Sequence, residues 1–168
     1  MEKIPKGIVI TSSEYTKDFL PSLLFSIAKT NYRVVINYNT EKENGWEISG
    51  IQLGKDTFDE FIHIMDTTLI KDISLFDKLF EINGNVFLTK GGYHYMGKFV
   101  SCEIPELPIV KTKNEAIDRE LRWFKGMSYI EFMPDLPVHT DIFEEIHGQK
   151  RMKLENDYMI KWKGTYSI

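Results

Sequence analysis

Several features that mark particular classes of protein are scarce in this sequence. It has one cysteine, Cys102, which excludes an internal disulfide and a zinc site built from several cysteines. A lone thiol is compatible with a reducing compartment. The N-terminal segment holds only a short apolar run, far below the roughly 20 residues that cross a membrane. We therefore expect no membrane span and a cytoplasmic location.

An excess of positive charge is also missing. Lysine and arginine number 21 against 25 aspartates and glutamates, which gives a net charge of −4. This balance disfavours general adhesion to nucleic acid, because such binding depends on many cationic contacts to phosphate. The motifs G-x-x-x-x-G-K-[ST], G-x-G-x-x-G, G-x-S-x-G and HExxH do not occur either. The chemistries that these motifs serve therefore have no support here.

The first half of the chain alternates between strand and helix patterns. Its 168 residues suffice for one domain with a sizeable core, so we expect a single domain over 1–168 and leave the oligomeric state open. Pro21 predicts a kink or restart in the first helix, because proline lacks the N–H that its turn needs. The predicted elements are strands at 6–13, 32–40 and 60–66, helices at 13–31 and 72–84, and a strand with a short turn at 45–61.

The second half is less regular. Residues 85–100 resemble two strands across a Gly-Gly turn, and 114–126 predicts a helix that ends at Gly126. A short helix is predicted over 141–148, and the tail 149–168 is predicted as a partly buried strand or helix. The order of elements as a whole indicates an α/β protein with three layers, a mostly parallel central sheet flanked by helices.

Each of the first three predicted strands ends in polar side chains. They are Thr11, Ser12 and Ser13, then Asn37, then Asp66. Ligands of parallel sheets bind beyond the carboxyl ends of the strands, so these residues together predict a binding site. Exposed N–H groups and hydroxyls at a strand-to-helix turn suit anionic ligands. Ser13 alone is equally well explained as a helix cap.

Asp66, in "FIHIMDTTLIKD", has two interpretations. Together with Thr67 and Thr68 it offers caps for the following turn or helix. Alternatively it binds Mg²⁺ or Mn²⁺, which take oxygen ligands and share their shell with substrate phosphates. Such an ion would offset the charge that develops on a diphosphate leaving group.

Three stretches resemble, in their order and spacing, the nucleotide-sugar glycosyltransferases of the GT-A fold. They are "GIVITSSEYTKDFLPSLLFSI", "YRVVINYNT" and "FDEFIHIMDTTLIKD", and the resemblance covers residues 6–80. In that family the second strand ends at an acidic residue that contacts the nucleotide, and a later strand ends in an Asp-x-Asp metal motif. The resemblance implies a reduced GT-A-like domain that takes a nucleotide-diphosphate sugar as donor, with Thr11, Ser12 and Ser13 near the nucleotide.

Two positions depart from the family pattern. The metal motif reads Asp66-Thr67-Thr68, so a hydroxyl replaces the second carboxylate, and Asn37 stands where the family has an acid. Asn37 still has the hydrogen-bonding groups to contact a base or ribose. GT-A enzymes often complete the metal shell with a C-terminal histidine, which makes His147 the candidate second ligand, followed by His139. The alternative places His147 at a helix C-terminus, where it would interact favourably with the helix dipole.

The tail and the third helix supply the remaining candidates. Lys161 and Lys163 flank Trp162 and, closing over a diphosphate, would neutralise it and exclude water; the alternative is a solvated edge around a buried tryptophan. A transferase that inverts the anomeric centre needs a carboxylate base. Asp118 and Glu120 do not share a helix face, so at most one of them points at a given site. Glu120 is the first candidate because it borders the buried stripe of the helix, and Asp118 is the second.

The sequence therefore predicts a glycosyltransferase that moves a sugar from a nucleotide-diphosphate donor to a hydroxyl, with Mn²⁺ or Mg²⁺. The acceptor is a saccharide, a protein or a modified nucleic acid. A non-catalytic module that binds nucleotide sugars or regulates is the first alternative, and the incomplete metal motif supports it. The second alternative is a viral glycosyltransferase acting on modified DNA bases, which the basic tail keeps open.

Overall fold

A computed structural model describes residues 2–40, 42, 44–90, 93–132 and 143–164. Its larger sheet has the strand order β2-β1-β3-β6-β5-β7. Strand β1 pairs in parallel with both β2 and β3, β6 runs antiparallel to its two neighbours, and β7 is parallel to β5. The strands are β1 (Ile4–Ser13), β2 (Arg33–Asn39), β3 (Phe58–Met65), β5 (Val86–Lys90), β6 (Tyr93–Val100) and β7 (Ile130–Phe132).

The central position of β1 follows from its sequence. Ile8, Val9 and Ile10 have no exposed surface, as expected for a strand that is covered on both faces. Strand β2 lies on one side of β1 and β3 on the other, so the chain leaves the ends of β1 and β3 in different directions. Such a switch in direction opens a crevice at the carboxyl edge of a sheet.

In the described part of the chain, four α-helices cover the large sheet. Helices α2 and α4 pack on one face, against a core that includes Val9, Phe61 and Phe99. The other face packs against α1 and α3 through Ile8, Ile10 and their neighbours. The helices are α1 (Leu20–Ser26), α2 (Trp46–Thr57), α3 (Ser74–Glu81) and α4 (Lys113–Lys125). No helix in these described ranges has the length and apolar character to cross a membrane.

A second, antiparallel sheet has the order β4-β10-β9-β8. Its residues Leu154 and Met159 share the core with α1 and α3. The backbone N–H of Trp162 donates to the carbonyl of Thr67 at 2.9 Å, just beyond the end of β3. This sheet therefore brings the tail of the chain to the carboxyl edge of the large sheet. Its strands are β4 (Thr68–Ile70), β8 (Phe143–Ile146), β9 (Gln149–Glu155) and β10 (Met159–Gly164).

Much of the predicted order is confirmed. The three N-terminal strands, helices α3 and α4 and the β5–β6 pair form where expected, although Gly91 and Gly92 lie outside the described residues. The prediction at Pro21 is also confirmed. A 3-10 helix (Lys17–Phe19) ends and α1 begins at Leu20, which puts Pro21 in a first turn where no N–H is needed. The α/β class with a mostly parallel large sheet is confirmed, and the antiparallel second sheet was not predicted.

Two secondary-structure predictions are wrong. Residues 46–57 form helix α2 rather than a strand. Glycines weaken the helical signal in the sequence, but in the fold they let α2 approach the sheet closely. Residues 143–146 form strand β8 rather than a helix. His147 (φ 49°) and Gly148 (φ 74°) make a two-residue loop that pairs Ile146 with Gln149, as in hairpins whose turn needs positive φ.

Candidate functional site

Asp66 lies at the switch point, directly after β3, and its side chain is fully buried. Its Oδ2 accepts hydrogen bonds from Ser12 Oγ at 2.8 Å and Thr16 Oγ1 at 2.6 Å. In the described part of the chain, its Oδ1 has no hydrogen-bond partner. Burial raises the pKa of Asp66, while the hydrogen bonds from Thr16 and Ser12 and the charge of Lys161 oppose the shift.

The opposite face of the sheet carries a second polar group at the same edge. Thr11 Oγ1 lies 2.7 Å from His63 Nε2, and Asn37 Nδ2 donates to Ser49 Oγ on α2 at 2.8 Å. Ser13 Oγ accepts from the Tyr15 N–H at 3.3 Å, which closes the turn after β1. The four predicted nucleotide-binding residues at the ends of β1 and β2 are thus brought to one edge, where they hydrogen-bond their own neighbours.

His63 is a buried histidine held in its neutral form. Burial lowers the pKa of His63 to about 4, with Glu47 opposing the shift and Lys161 adding to it. The unfolded state, with a pKa near 6.5, then binds more protons between those two values. Stability is therefore lost as the pH falls through this window.

We expect wild type to lose about 2 kcal/mol more unfolding free energy than His63→Gln between pH 7 and pH 5. Glutamine cannot take up the proton, so the variant lacks this part of the acid sensitivity. Urea titrations at both pH values give the comparison. Parallel losses in the two proteins would show that His63 does not carry the effect.

Lys161 reaches the same edge from β10. It is buried, and its Nζ donates to Thr67 Oγ1 at 2.8 Å, beside Asp66. Burial lowers the pKa of Lys161 to about 8, partly opposed by Glu47 and Asp66. Burial also lowers the pKa of Lys163 to about 8, against the attraction of Glu47 and Glu120. Lys161 is thus a buried cation and not part of a solvated edge, although Trp162 is buried as the alternative required.

Glu120 of α4 and Glu47 of α2 form a hydrogen-bonded carboxyl pair. Burial raises the pKa of Glu120, and the charge and hydrogen bond of Glu47 raise it further, while Lys163 opposes them. A hydrogen bond between two carboxyl groups requires a shared proton, so the pair carries one negative charge where two would repel. Glu47 and His63 also line a cavity of about 20 Å³, room for about one water.

Two further cations complete the edge. Arg151 of β9 is close enough to Asp66, Lys161 and Lys113 to lower the pKa of each. Lys113 Nζ lies 4.5 Å from the ring centroid of Trp46 and 5.8 Å from that of Tyr15. Trp46 has φ 51°, a left-handed conformation that is costly for a bulky residue and is found most often at functional sites.

Two other predicted site residues, His147 and Asp118, are exposed. His147 is exposed in the β8–β9 loop, with its ring centroid 4.8 Å from that of Phe19, and it does not end a helix. Asp118 is exposed on α4 and pairs with Arg122 at 3.5 Å, one helical turn away. His139 lies outside the described residues.

The side chains at this edge do not fit a divalent ion held by the protein alone. Among the described residues, no group of three His, Cys, Asp or Glu side chains comes together in a way that could hold a metal. Asp66 supplies a single carboxylate, one oxygen of which already accepts two hydrogen bonds. Its charged neighbours are the cations Lys161 and Arg151, where Mg²⁺ or Mn²⁺ would need several oxygen ligands.

The sequence did not predict Glu47, Lys113 or Trp46 as site residues, and it placed Arg151 only within the basic tail. Glu47 and Trp46 lie in the segment predicted as a strand. The position of Glu47 in the first turn of a helix was therefore not predicted. A helix assignment there would have put Glu47 near the sheet edge, but no sequence pattern pairs it with Glu120. No protein-family model matches this chain, and a search of curated proteins finds no match.

Proposed function

We propose that the protein binds a nucleotide-diphosphate sugar at the carboxyl edge of the large sheet and transfers the sugar to a hydroxyl acceptor. One observation carries the proposal: four cations lie at the edge beside the crevice between β1 and β3, and two of them, Lys161 and Lys163, interact with Glu47 of the carboxyl pair. The cations are Lys113, Arg151, Lys161 and Lys163. Anionic ligands of parallel sheets bind at such an edge, and cations there stabilise a diphosphate as it leaves.

The arrangement of strand ends supports a GT-A-like interpretation of the fold. Asp66 follows β3 and accepts a hydrogen bond from Ser12 at the end of β1, so two of the three stretches that carry the resemblance meet at one point. Asn37 ends the neighbouring strand and borders α2. A nucleotide lying across this edge would reach all three strand ends.

Aromatic side chains at the edge suit a planar or ring-shaped ligand. Tyr15 is 54% exposed, and Lys113 lies over both its ring and that of Trp46. Aromatic faces bind bases and sugars by stacking and attract cations. We therefore assign the base or the sugar ring to the side of the site that Tyr15 and Trp46 form.

The carboxyl pair supplies a candidate base for the transfer. Glu120 was the first choice from the sequence, and the fold adds Glu47 as its partner. Two carboxyl groups that share one proton leave one of them able to accept the proton of an acceptor hydroxyl. Asp118, the second choice, faces outward to Arg122 and contributes less to this proposal.

A thermal-shift screen with UDP, GDP, CDP and ADP tests ligand binding. We expect at least one diphosphate to stabilise the wild type, by about 2.7 kcal/mol at a hundred times its Kd, or roughly 5–10 °C for a chain of this size. Lys163→Met should weaken this shift, whereas Lys150→Met, an exposed lysine of the same sheet, should not. If none of the four compounds shifts the wild type, the proposed function fails.

A non-catalytic nucleotide-sugar-binding module is the second candidate function. Asp66 is completely buried and its Oδ2 accepts two hydrogen bonds. A carboxylate held in this way stabilises the fold without taking part in a reaction, which favours a binding module. Release of free nucleotide from nucleotide sugars separates the two candidates: a binder holds the donor without releasing it. The alternative of a transferase for DNA bases gains less, since Lys161 is buried and Lys153 pairs with Glu144 and Glu155.

A further inference from the structure

Among the described residues around Lys161, positive charges outnumber negative ones. Two acids, Glu47 and Asp66, raise the pKa of Lys161. Two other cations, Arg151 and Lys163, lower it. Because Glu47 shares a proton with Glu120, that pair contributes about one negative charge. Counting Asp66 as fully ionised, the three cations still exceed the two negative charges, so an anion that enters the site is attracted.

Lys161 is the most deeply buried member of this group. Only 7% of its surface is exposed, while Lys163 and Arg151 are half-buried. A buried ammonium loses much of its hydration and needs compensating charge or hydrogen bonds. Thr67 Oγ1 accepts one of its three N–H groups, at 2.8 Å. The remaining N–H groups of Lys161 suit the oxygens of an anion better than those of water.

We propose that Lys161, with Arg151 and Lys163, supplies the positive charge that a divalent ion would bring to a diphosphate, so that the donor binds without metal. This inference rests on the proposed function and names the cations that hold the leaving group. It explains why a single carboxylate suffices at Asp66, which then holds the hydroxyls of Ser12 and Thr16 and balances part of the charge of Lys161.

The transfer step is balanced with these groups alone. The acceptor oxygen forms a bond to the anomeric carbon of the sugar as the bond from that carbon to the diphosphate oxygen breaks. The electron pair of the broken bond stays on the diphosphate, where the three cations stabilise it. The proton of the acceptor hydroxyl passes to the Glu47–Glu120 pair.

Calorimetry with UDP, GDP, CDP, ADP and inorganic pyrophosphate tests this inference, once in EDTA and once in MnCl₂. For the compounds that bind, we expect Kd values within twofold of each other in the two buffers. Lys161→Met should weaken binding at least tenfold, and Lys161→Arg should restore most of it. Lys153→Met removes a lysine that pairs with surface acids of the same sheet, and it should change Kd less than twofold.

The outcomes separate the inference from the function on which it rests. A tenfold or larger gain in affinity with Mn²⁺ over EDTA overturns the role of the cations but leaves nucleotide binding intact. Equal losses in Lys161→Met and Lys153→Met overturn the specific role of Lys161. Absence of binding by every compound in both buffers overturns the proposed function itself. The wild-type comparison between buffers decides the matter even if Lys161→Met does not fold.

Discussion

Replacing Asp66 with alanine should lower the free energy of unfolding by about 3–5 kcal/mol, the usual cost of removing one partner from a buried charged network. The change leaves the buried hydroxyls of Ser12 and Thr16 without their common acceptor. It also removes the negative charge beside Lys161 and Arg151. Each unsatisfied group then carries its cost of desolvation. Urea unfolding of the purified variant measures the loss.

Two matched variants show what the loss means. Asp66→Asn keeps an oxygen acceptor and the shape of the side chain, so we expect it to retain more stability than the alanine variant. Asp118→Ala removes an exposed carboxylate from an i, i+4 pair, where about 0.3–0.5 kcal/mol is expected. A loss below about 1 kcal/mol for Asp66→Ala would contradict a structural role for this carboxylate.

Gly50→Ala should destabilise the protein by about 3–4 kcal/mol, above the usual range for overpacking. An added Cβ would lie 2.1 Å from Thr11 Oγ1 and 2.6 Å from His63 Nε2. Both atoms are fixed by their mutual hydrogen bond on a central strand pair, so the helix must move instead. Moving α2 displaces Glu47, and the same variant should therefore lose nucleotide binding.

Gly126→Ala is the control for this substitution. Gly126 follows α4 with φ −83°, and its added Cβ would make an ordinary contact of 3.5 Å with the carbonyl oxygen of Trp123. Replacing a glycine in such a conformation with alanine raises the free energy of unfolding by about 0.4–1 kcal/mol, because the unfolded chain loses conformational freedom. Comparable midpoints of thermal unfolding for the two alanine variants would refute the close approach of α2 to the sheet.

Local patterns predicted those elements whose sequence signal agrees with their surroundings. The apolar run 7–10 required a strand covered on both sides, and the stripe in α3 required a helix with one buried face. Helix α2 failed this test because Gly50 and Gly54 weaken the helical pattern. The reason for these glycines is seen only in the folded structure, where a side chain at either position would collide with β1 or β3.

The candidate site was predicted in the same partial way. Thr11, Ser12, Asn37 and Asp66 lie at the ends of strands that the sequence shows, so their meeting at one edge followed from the rule for parallel sheets. His147 was assigned to the metal shell by the resemblance, with a helix C-terminus as the alternative. The alternative is wrong, because His147 lies in the loop of a hairpin. The metal itself stays a prediction that the calorimetry in EDTA and MnCl₂ tests.

The sequence by itself determined the parallel strands β1 to β3, the polar residues at their ends and the buried tail around Trp162. These features depend on residues close together in the chain, whose periodicity reports burial directly. Only the tertiary structure decided that Lys161 and Glu47 come together with Asp66. Lys161 lies near the end of the chain, and Glu47 lies in a helix that the sequence did not show. Such charges are brought together by the packing of two sheets and two helices, and residues that lie far apart in the chain leave no local pattern of their pairing.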